Sequence, residues 1–293
     1  MSSVAIIGIN SVVAPQLIEA LEGSVFAGKF QYPIKAITRS TEGKTSTDKL
    51  KYIAANYDDP ASVVKELQGT DVIISLVTVN PNVIQTVETI VKEVKPKLYI
   101  PSQYGVDVKT VSTYIPGLLN IKDDHSENLR KVGIKVVDVY TGFFSFKKSW
   151  LYEIVPHIGI DAEKKEYVAR GDLNTKITYT NLTDLGLAIA SIASRPTENW
   201  PQQVKIESGK VAVRDIIERY EKDHGVKLTQ KEAISKEDTL KQVYEKLKNF
   251  SPADFVFYLH AIAAQGEGRG ASFTENDDEL VNPGEKLWKW TKY

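Results

Sequence analysis

Residues 4–14 of the 293-residue chain read VAIIGINSVVA, and this stretch decides how the remaining sequence is interpreted. The apolar run Val4–Ile7 is typical of a strand that is buried on both faces of a sheet. Gly8 closes the run and provides the conformational freedom that a tight turn requires. A helix is predicted over Pro15–Leu21, because proline is tolerated in the first turn of a helix. The stretch therefore predicts a strand, a tight turn and a helix.

The same alternation continues over the first 140 residues. Further strands are predicted at Ile34–Thr38, Tyr52–Ala54, Val72–Val77, Leu98–Pro101 and Val136–Tyr140. The intervening helices are predicted to begin at Asp59-Pro60, with Asp59 as the N-cap, and to cover about Asn82–Glu93 and Leu119–Lys131. Repeated strand–helix–strand units imply an α/β fold with a doubly wound parallel sheet. Ligands of such sheets bind beyond the carboxyl ends of the strands.

The pattern changes after Tyr140, where aromatic residues cluster at Phe143, Phe144, Phe146, Trp150 and Tyr152. We expect residues 1–150 to form the main domain, and residues 151–293 to form a smaller lobe with elements that return to it. The charged stretch Val213–Phe250 is predicted to be helical, with a break at Gly225. The segment LWKWTKY (287–293) is expected to dock on the protein, because such tryptophans usually bury much of their area.

Composition excludes several classes of protein. The 37 basic and 38 acidic side chains leave no basic surplus, so neither a nucleic acid nor a membrane surface is expected as a partner. Cysteine is absent and the four histidines lack metal-ligand spacing, so no metal site is expected. No stretch reaches the roughly 18 apolar residues that cross a bilayer, and no signal-peptide pattern is present. We therefore expect a cytoplasmic protein, with the nucleus as a second location.

The turn after the first strand has features of a dinucleotide site. Such a site needs a tight turn, a close approach to pyrophosphate and a helix packed near the strand. Gly8 suits the turn, Ala14 adds only a methyl group at the packing position, and Ser11 stands where a second glycine would permit the close approach. The Ser11 hydroxyl can hydrogen-bond a phosphate instead, beside the free N–H groups of a helix N-terminus. The alternative is an ordinary turn in a fold that has lost its cofactor.

The second strand is followed by Thr38-Arg39-Ser40. An acidic residue here would bind the ribose 2′-hydroxyl of NAD, whereas an arginine accommodates a 2′-phosphate. Arg39 therefore favours NADP(H), with Lys44 or Lys49 as an assisting cation. The alternative is a solvated surface arginine.

Polar residues also follow the fourth and fifth strands. Thr78 is expected beside a nicotinamide ribose, and Ser102 and Tyr104 come after the fifth strand. Lys122 lies on the next predicted helix and shares a face with His125, three residues further on. A lysine in such a cleft can bind ribose, lower the pKa of a proton donor or transfer a proton itself. The alternative is a surface lysine.

Taken together, these motifs resemble the NmrA-like and isoflavone reductase-like family of atypical short-chain dehydrogenases. The resemblance rests on the glycine turn, Thr38-Arg39-Ser40, NYDDPAS (56–62), GTDVIIS (69–75), Gln85 and IPSQYG (100–105). It continues through GDLNTK (171–176) and TDLG (183–186), and DELVNPG (278–284) is similar to fungal members. The resemblance implies a Rossmann-type NADPH-binding domain with a smaller C-terminal substrate lobe. It also implies hydride transfer to enone-like or aryl-ether small molecules.

The family's functional residues carry over to positions of this sequence. By resemblance, Lys122 is the catalytic general acid/base. The residues expected to bind the cofactor are Gly8, Asn10, Ser11, Val12 and Ala14 at the pyrophosphate turn, Arg39 at the 2′-phosphate, and Thr78, Ser102 and Tyr104 on the nicotinamide side. The residues expected to line the substrate pocket are Gly142, Phe143 and Phe144. Ser11 and Ala14 stand where the family usually has glycine. Tyr104 replaces a common phenylalanine and supplies a phenol that can donate a proton.

Two hypotheses follow from the sequence. The leading one is an NADPH-dependent reductase of a small carbonyl or enone compound, in which Lys122 acts as general acid/base and Tyr104 as a further candidate proton donor. The alternative is a non-catalytic NADP(H)-sensing regulator that binds a protein partner, as some members of the resembled family do. Either is expected to be a monomer or a homodimer.

Overall fold

The computed structural model describes residues 1–146 and 158–293. Trp150, Tyr152 and the predicted boundary between residues 150 and 151 lie outside these ranges. The first 140 residues form β1 (Ser2–Ile7), α1 (Ala14–Glu22), β2 (Phe30–Thr38), β3 (Leu50–Ala54), α2 (Pro60–Leu67), β4 (Val72–Ser75), α3 (Pro81–Val94), β5 (Leu98–Ile100), α4 (Val108–Ser112), α5 (Asn120–Lys131) and β6 (Asp138–Tyr140).

The remaining elements are β7 (Phe143–Ser145), β8 (Ile160–Asp161), β9 (Glu166–Arg170), β10 (Lys176–Asn181), α6 (Leu182–Ala193), β11 (Gln203–Lys205), β12 (Gly209–Ala212), α7 (Val213–His224), β13 (Thr229–Ile234), α8 (Lys236–Leu247), α9 (Phe255–Ala263) and α10 (Asp278–Val281). Short 3₁₀ turns cover Ser24–Phe26, Pro252–Asp254 and Pro283–Glu285.

The main sheet has the strand order β3-β2-β1-β4-β5, and each neighbouring pair is parallel. Beyond β5, the backbone N–H of Val137 donates to the carbonyl oxygen of Tyr99 across 3.0 Å, and β6 then pairs in parallel with β11. Successive residues of β1 point to opposite faces of the sheet. Val4 and Ile6 pack with α1 and α6, whereas Ala5 and Ile7 pack with α2, α3 and α5. The doubly wound, Rossmann-like α/β prediction is confirmed.

The second half of the chain builds the sheets β12-β10-β7 and β13-β9-β8 around a separate apolar cluster. It also returns to the main sheet through α6 and β11. At the α1–α6 contact, a Cβ atom on Gly186 would lie 2.5 Å from the carbonyl oxygen of Gln16, so glycine permits this close approach. Elements of the second half of the chain therefore pack against the main sheet, while the division into two domains stays a prediction.

One local prediction was wrong in detail. The charged stretch Val213–Phe250 is not helical throughout, because Thr229–Ile234 forms β13 and pairs in parallel with β9. Its polar sequence is mostly exposed and lacks the apolar signal of a buried strand. Asp59 occupies the N-cap position of α2, as predicted, although its side chain makes no capping hydrogen bond.

The tryptophan-containing segment docks on the protein, as predicted. Trp290 is 6% exposed in the cluster that contains α1 and α6, and Trp288 packs against the same cluster. The Asp184 carboxylate of α6 accepts hydrogen bonds from the Thr291 backbone N–H at 2.8 Å and from its hydroxyl at 3.2 Å. Within the two described ranges, every helix is too short or too polar to span a membrane.

Candidate active site

A cleft of about 1200 Å³ lies beyond the carboxyl ends of the first strands of the main sheet. Its lining residues come from the turn after β1, from the residues following β2 and β3, and from the loop after β4. They include Gly8, Asn10, Ser11, Val12, Thr38, Arg39, Asn56, Tyr57, Thr78 and Asn80. The cleft therefore brings together six predicted cofactor residues from three separate parts of the sequence: Gly8, Asn10, Ser11, Val12, Arg39 and Thr78.

Gly8 is required at its position by both conformation and space. Its φ angle is +94°, in the region that side chains other than glycine rarely adopt. An added Cβ atom would lie 2.8 Å from the carbonyl carbon of Leu76 and 2.9 Å from the nitrogen of Val77. Glycine thus lets the first turn pass directly against the chain leaving β4.

Ser11 uses part of the hydrogen-bonding capacity of the α1 N-terminus. Its hydroxyl accepts the N–H of Val13 at 3.3 Å, and its carbonyl oxygen accepts the N–H of Ala14 at 3.0 Å. This terminus therefore offers fewer free N–H groups than the sequence predicted. The Ser11 hydroxyl proton remains a donor toward the cleft.

Two cationic side chains lie near the part of the cleft formed by the glycine turn and the end of β2. Arg39 lines it and is exposed. Lys44 donates to the Asn10 side-chain oxygen across 2.9 Å, which brings its charge to the glycine turn. Lys49 instead donates to the carbonyl oxygen of Glu22 at 3.0 Å and covers the Tyr32 ring. Lys44 is thus the better placed of the two predicted assisting cations.

A narrow pocket of about 20 Å³ adjoins the cleft, since Val77 and Thr78 line both. This is room for about one water molecule. Its polar lining side chains are Ser75, Thr78, Tyr99, Ser102, Gln103, Lys122 and His125. The pocket therefore collects residues from β4, β5 and α5 at one place, including the predicted Ser102 and Lys122.

Lys122 is held in this pocket with a shifted pKa. Its ammonium group donates to the carbonyl oxygen of Gln103 across 3.3 Å. Burial lowers the pKa of Lys122 to about 8, and the negative charge of Asp138 partly opposes that shift. Asp138 is fully buried and accepts hydrogen bonds from Ser126 at 2.6 Å and Arg130 at 2.8 Å. At neutral pH the amine is mostly protonated, yet acidic enough to give up a proton.

His125 lies on the same face of α5 as Lys122, as its spacing predicted. Tyr99, Ser75 and Gln103 were not predicted to have functional roles. Tyr99 and Ser75 stand inside apolar strands, where the sequence indicates only burial. Gln103 belongs to the IPSQYG motif, but nothing in the sequence shows that it contacts the helix carrying Lys122.

The other predicted site residues lie in different surroundings. Tyr104 packs against the cluster containing α1, and burial raises the pKa of its phenol well above the ordinary value. Phe143 is 5% exposed within the second apolar cluster, Phe144 is half-buried, and a Cβ on Gly142 would meet the Thr178 carbonyl oxygen at 2.3 Å. These four residues are not among those that line the cleft or the narrow pocket. Their contact with substrate stays a prediction.

Metal ligation has no support in residues 1–146 and 158–293, where no group of three or more histidine, aspartate or glutamate side chains is arranged to hold an ion.

The parallel sheet, the glycine turn and the cleft define a doubly wound α/β protein with the architecture of a dinucleotide-binding domain. Residues 3–267 match the NmrA-like family, and the chain belongs to this family.

Three known proteins illustrate the relationship. Oxidoreductase swnN of Arthroderma benhamiae is 28% identical over 141 residues, a match that spans 43% of this chain and 42% of that relative. The structure of isoflavone reductase superposes with a TM-score of 0.69 at 19% identity, covering 96% of this chain and 94% of the other. The leucoanthocyanidin reductase–NADPH complex of Vitis vinifera gives 0.67 at 19% identity, with 95% and 91% covered. These structural likenesses confirm the fold.

Proposed function

We propose that the protein is an NADPH-dependent reductase of a small carbonyl or enone compound and that Lys122 is its proton donor. The observation that carries this proposal is the place of Lys122. Its ammonium group lies in a pocket that adjoins the nucleotide-type cleft, and its pKa of about 8 suits proton donation near neutral pH. The similarity to an oxidoreductase and to two reductases of known structure supports this class of reaction.

The residues of the cleft fit NADPH. Gly8 lets the first turn pass directly against the chain leaving β4, and it lines the cleft where pyrophosphate would approach the backbone of the turn. Asn10, Ser11 and Val12 would complete that site, while Arg39, with Lys44 nearby, would hold the 2′-phosphate. When bound, NADPH supplies the hydride.

Lys122 and the neighbouring pocket residues would handle the proton. In this proposal the Lys122 ammonium would hydrogen-bond the substrate oxygen and donate its proton there. Thr78 and Ser102 would position the nicotinamide side of the cofactor, because Thr78 lines both cavities and Ser102 lines the pocket. The partly buried site strengthens these charge interactions relative to water.

The alternative function is an NADP(H)-sensing regulator that binds a protein partner. One observation favours it: Ser11 occupies the N–H groups of Val13 and Ala14, which leaves fewer donors for pyrophosphate. Such a protein would need no chemistry at Lys122. The protein partner, the monomeric or homodimeric state, and the cytoplasmic or nuclear location remain predictions.

Calorimetric titration followed by turnover measurements distinguishes the two functions. Protein stripped of bound nucleotide is titrated with NADPH, NADH and NADP⁺, and then assayed for NADPH consumption on a panel of enones, quinones and aryl ketones. We expect NADPH to bind more tightly than NADH, and the Lys122→Met variant to bind NADPH normally but lose turnover. Full turnover by that variant would contradict the mechanism. The regulator would be favoured by two results together. The protein would bind NADPH without consuming it, and it would bind or release a protein partner according to the redox state of the cofactor.

A further inference from the structure

Behind Lys122, a line of polar side chains leads from the narrow pocket to the protein surface. The Tyr99 hydroxyl and Nε2 of His125 are 2.9 Å apart. Nδ1 of His125 lies 3.6 Å from a carboxylate oxygen of Glu88. The other Glu88 oxygen lies 2.5 Å from the ammonium group of Lys92, whose side chain is 38% exposed. The line therefore runs from buried phenol to solvent in three contacts.

Three different elements assemble this line. Tyr99 comes from β5, His125 from α5, and Glu88 and Lys92 from α3. Tyr99 is fully buried and His125 is 6% exposed. Their rings meet edge to face, with centres 5.6 Å apart and planes inclined at 78°. In this edge-to-face arrangement, Nε2 of His125 lies within hydrogen-bond distance of the Tyr99 hydroxyl.

The position of the line distinguishes it from an ordinary buried hydrogen bond. Tyr99 and His125 both line the pocket that contains Lys122. That pocket has room for about one water molecule, which would connect the phenol with the amine. With cofactor and substrate in the cleft, Lys122 faces the reactants on one side. A replacement proton then has to arrive from the protein side.

We propose that Glu88, His125 and Tyr99 form a proton-transfer chain that restores the ammonium form of Lys122 after each reduction. The proposal rests on the reductase function proposed above. Lys122 gives one proton to the substrate oxygen and becomes a neutral amine. The Tyr99 hydroxyl passes its proton through the pocket water to that amine, and the phenol oxygen takes the Nε2 proton of His125. Nδ1 of His125 receives a solvent proton by way of the Glu88 carboxyl group, and the imidazole ring then rotates so that its N–H faces Tyr99 again before the next turnover.

The chain conserves atoms and charge. One solvent proton enters for each substrate reduced, and no electrons move along the chain, because the hydride of NADPH is the reductant. The only bonds that form and break between Glu88 and Lys122 are O–H and N–H bonds.

The charges around the chain keep its members in the forms that this transfer needs. Burial lowers the pKa of His125, and Lys92 lowers it further, while Glu88 and Asp138 oppose the shift. The imidazole is therefore neutral at neutral pH, with one nitrogen able to donate and the other able to accept. Burial raises the pKa of Tyr99, so the phenol keeps its proton until the amine takes it.

Comparison of the first turnover with steady-state turnover tests the chain. In Tyr99→Phe and His125→Gln, Lys122 begins protonated, so hydride transfer measured by stopped-flow NADPH absorbance should stay close to the wild-type rate in the first turnover. The steady-state rate should fall roughly 10-fold or more, since reprotonation becomes limiting. Added imidazole or another small buffer acid should restore part of that rate, and a solvent isotope effect should appear only in the steady state.

The matched control is Tyr140→Phe. Tyr140 is also fully buried, and its hydroxyl has no hydrogen-bond partner within the described residues, but it is not a lining residue of the pocket. This variant should retain both rates. Glu88→Gln, closer to the surface, gives the same test if the buried variants fail to fold.

The results of these experiments distinguish failure of the proton-transfer chain from failure of the reductase function. Unchanged steady-state rates in the variants, with an active wild type, overturn the chain alone. A first turnover slowed as much as the steady state also overturns it, because Tyr99 and His125 would then only shape the site. A wild type that binds NADPH but reduces nothing overturns the proposed function, and the chain with it.

Discussion

Gln103 and Lys122 are hydrogen-bonded to each other in both directions. The side-chain amide of Gln103 donates to the backbone carbonyl oxygen of Lys122 across 2.8 Å, while the Lys122 ammonium donates to the backbone carbonyl oxygen of Gln103 across 3.3 Å. The same amide donates to the Ser126 hydroxyl at 3.0 Å. Gln103 is 1% exposed, so water competes little for these bonds. The first turn of α5 is thereby fixed to the chain after β5, with the amine directed into the pocket.

The shifted pKa of Lys122 predicts how reduction depends on pH. Burial lowers this pKa to about 8, and the donor is the protonated form. We expect the reduction rate to be independent of pH below neutrality. Above the pKa of Lys122 the rate should fall about tenfold per pH unit. Initial rates between pH 6 and pH 10 at saturating cofactor check this. Arginine stays protonated throughout, so residual activity of Lys122→Arg should show no such inflection. If the pH profile of that variant kept the same inflection, the titrating group would be one other than Lys122.

Arg39 and Lys44 should determine the preference for NADPH over NADH. Loss of one charge-assisted contact costs roughly 1.5–3 kcal/mol, so Arg39→Ala or Lys44→Ala should weaken NADPH binding about 10- to 100-fold. NADH, which lacks the 2′-phosphate, should bind each variant as it binds the wild type. Lys49→Ala is the matched control, because Lys49 is engaged with Glu22 and should leave both affinities unchanged. If the variants lost affinity for NADPH and NADH equally, Arg39 and Lys44 would not bind the 2′-phosphate.

Gly8→Ala should damage both stability and nucleotide binding. The φ of +94° would strain the backbone of an alanine, and its Cβ would clash with Leu76 at 2.8 Å. Together the two effects should lower the free energy of unfolding by about 2–5 kcal/mol. Gly28→Ala isolates the first effect, because Gly28 has a φ of +73° with no atom within 4 Å of the added Cβ. That control should lose about 1–2 kcal/mol and keep its nucleotide affinity. Denaturant unfolding and calorimetric titration measure the two quantities. Similar losses in both variants would show that the contact with Leu76 has little effect.

Truncation of Trp290 should destabilise the main domain. Its ring is 6% exposed in the cluster built on β1, α1 and α6, so Trp290→Ala should reduce the free energy of unfolding by about 3–5 kcal/mol. Leu287 in the same segment is 40% exposed, and Leu287→Ala should change it by no more than about 0.5 kcal/mol. Equilibrium unfolding in urea provides both values. A small effect of the Trp290 change would mean that the segment adds little to the core.

The sequence predicted the main sheet well because its strands are buried on both faces. Runs such as Val4–Ile7 are apolar at every position and give a strong signal. Thr229–Ile234 escaped prediction because β13 has mostly exposed residues, and its pairing with β9 depends on a segment about 60 residues earlier in the chain.

The cleft was predictable from position, but its chemical connections were not. Gly8, Arg39 and Thr78 follow strand ends, and a parallel sheet brings such ends to one edge. The contact of Tyr99 with His125 joins a strand to a helix 26 residues later, and no local pattern specifies that meeting. The same holds for Gln103, whose partners on α5 are fixed by how the helix packs.

The pairing of β11 with β6 has a consequence for how the chain is made. Residues 203–205 cover the edge of β6, so this edge stays open until the chain has been synthesised as far as β11. An open strand edge is a template for pairing with other chains. We expect a nascent chain or fragment that ends near residue 146 to be prone to aggregation. The half built on the main sheet is therefore not a portable module for fusion proteins, and the two halves should unfold together in one cooperative transition.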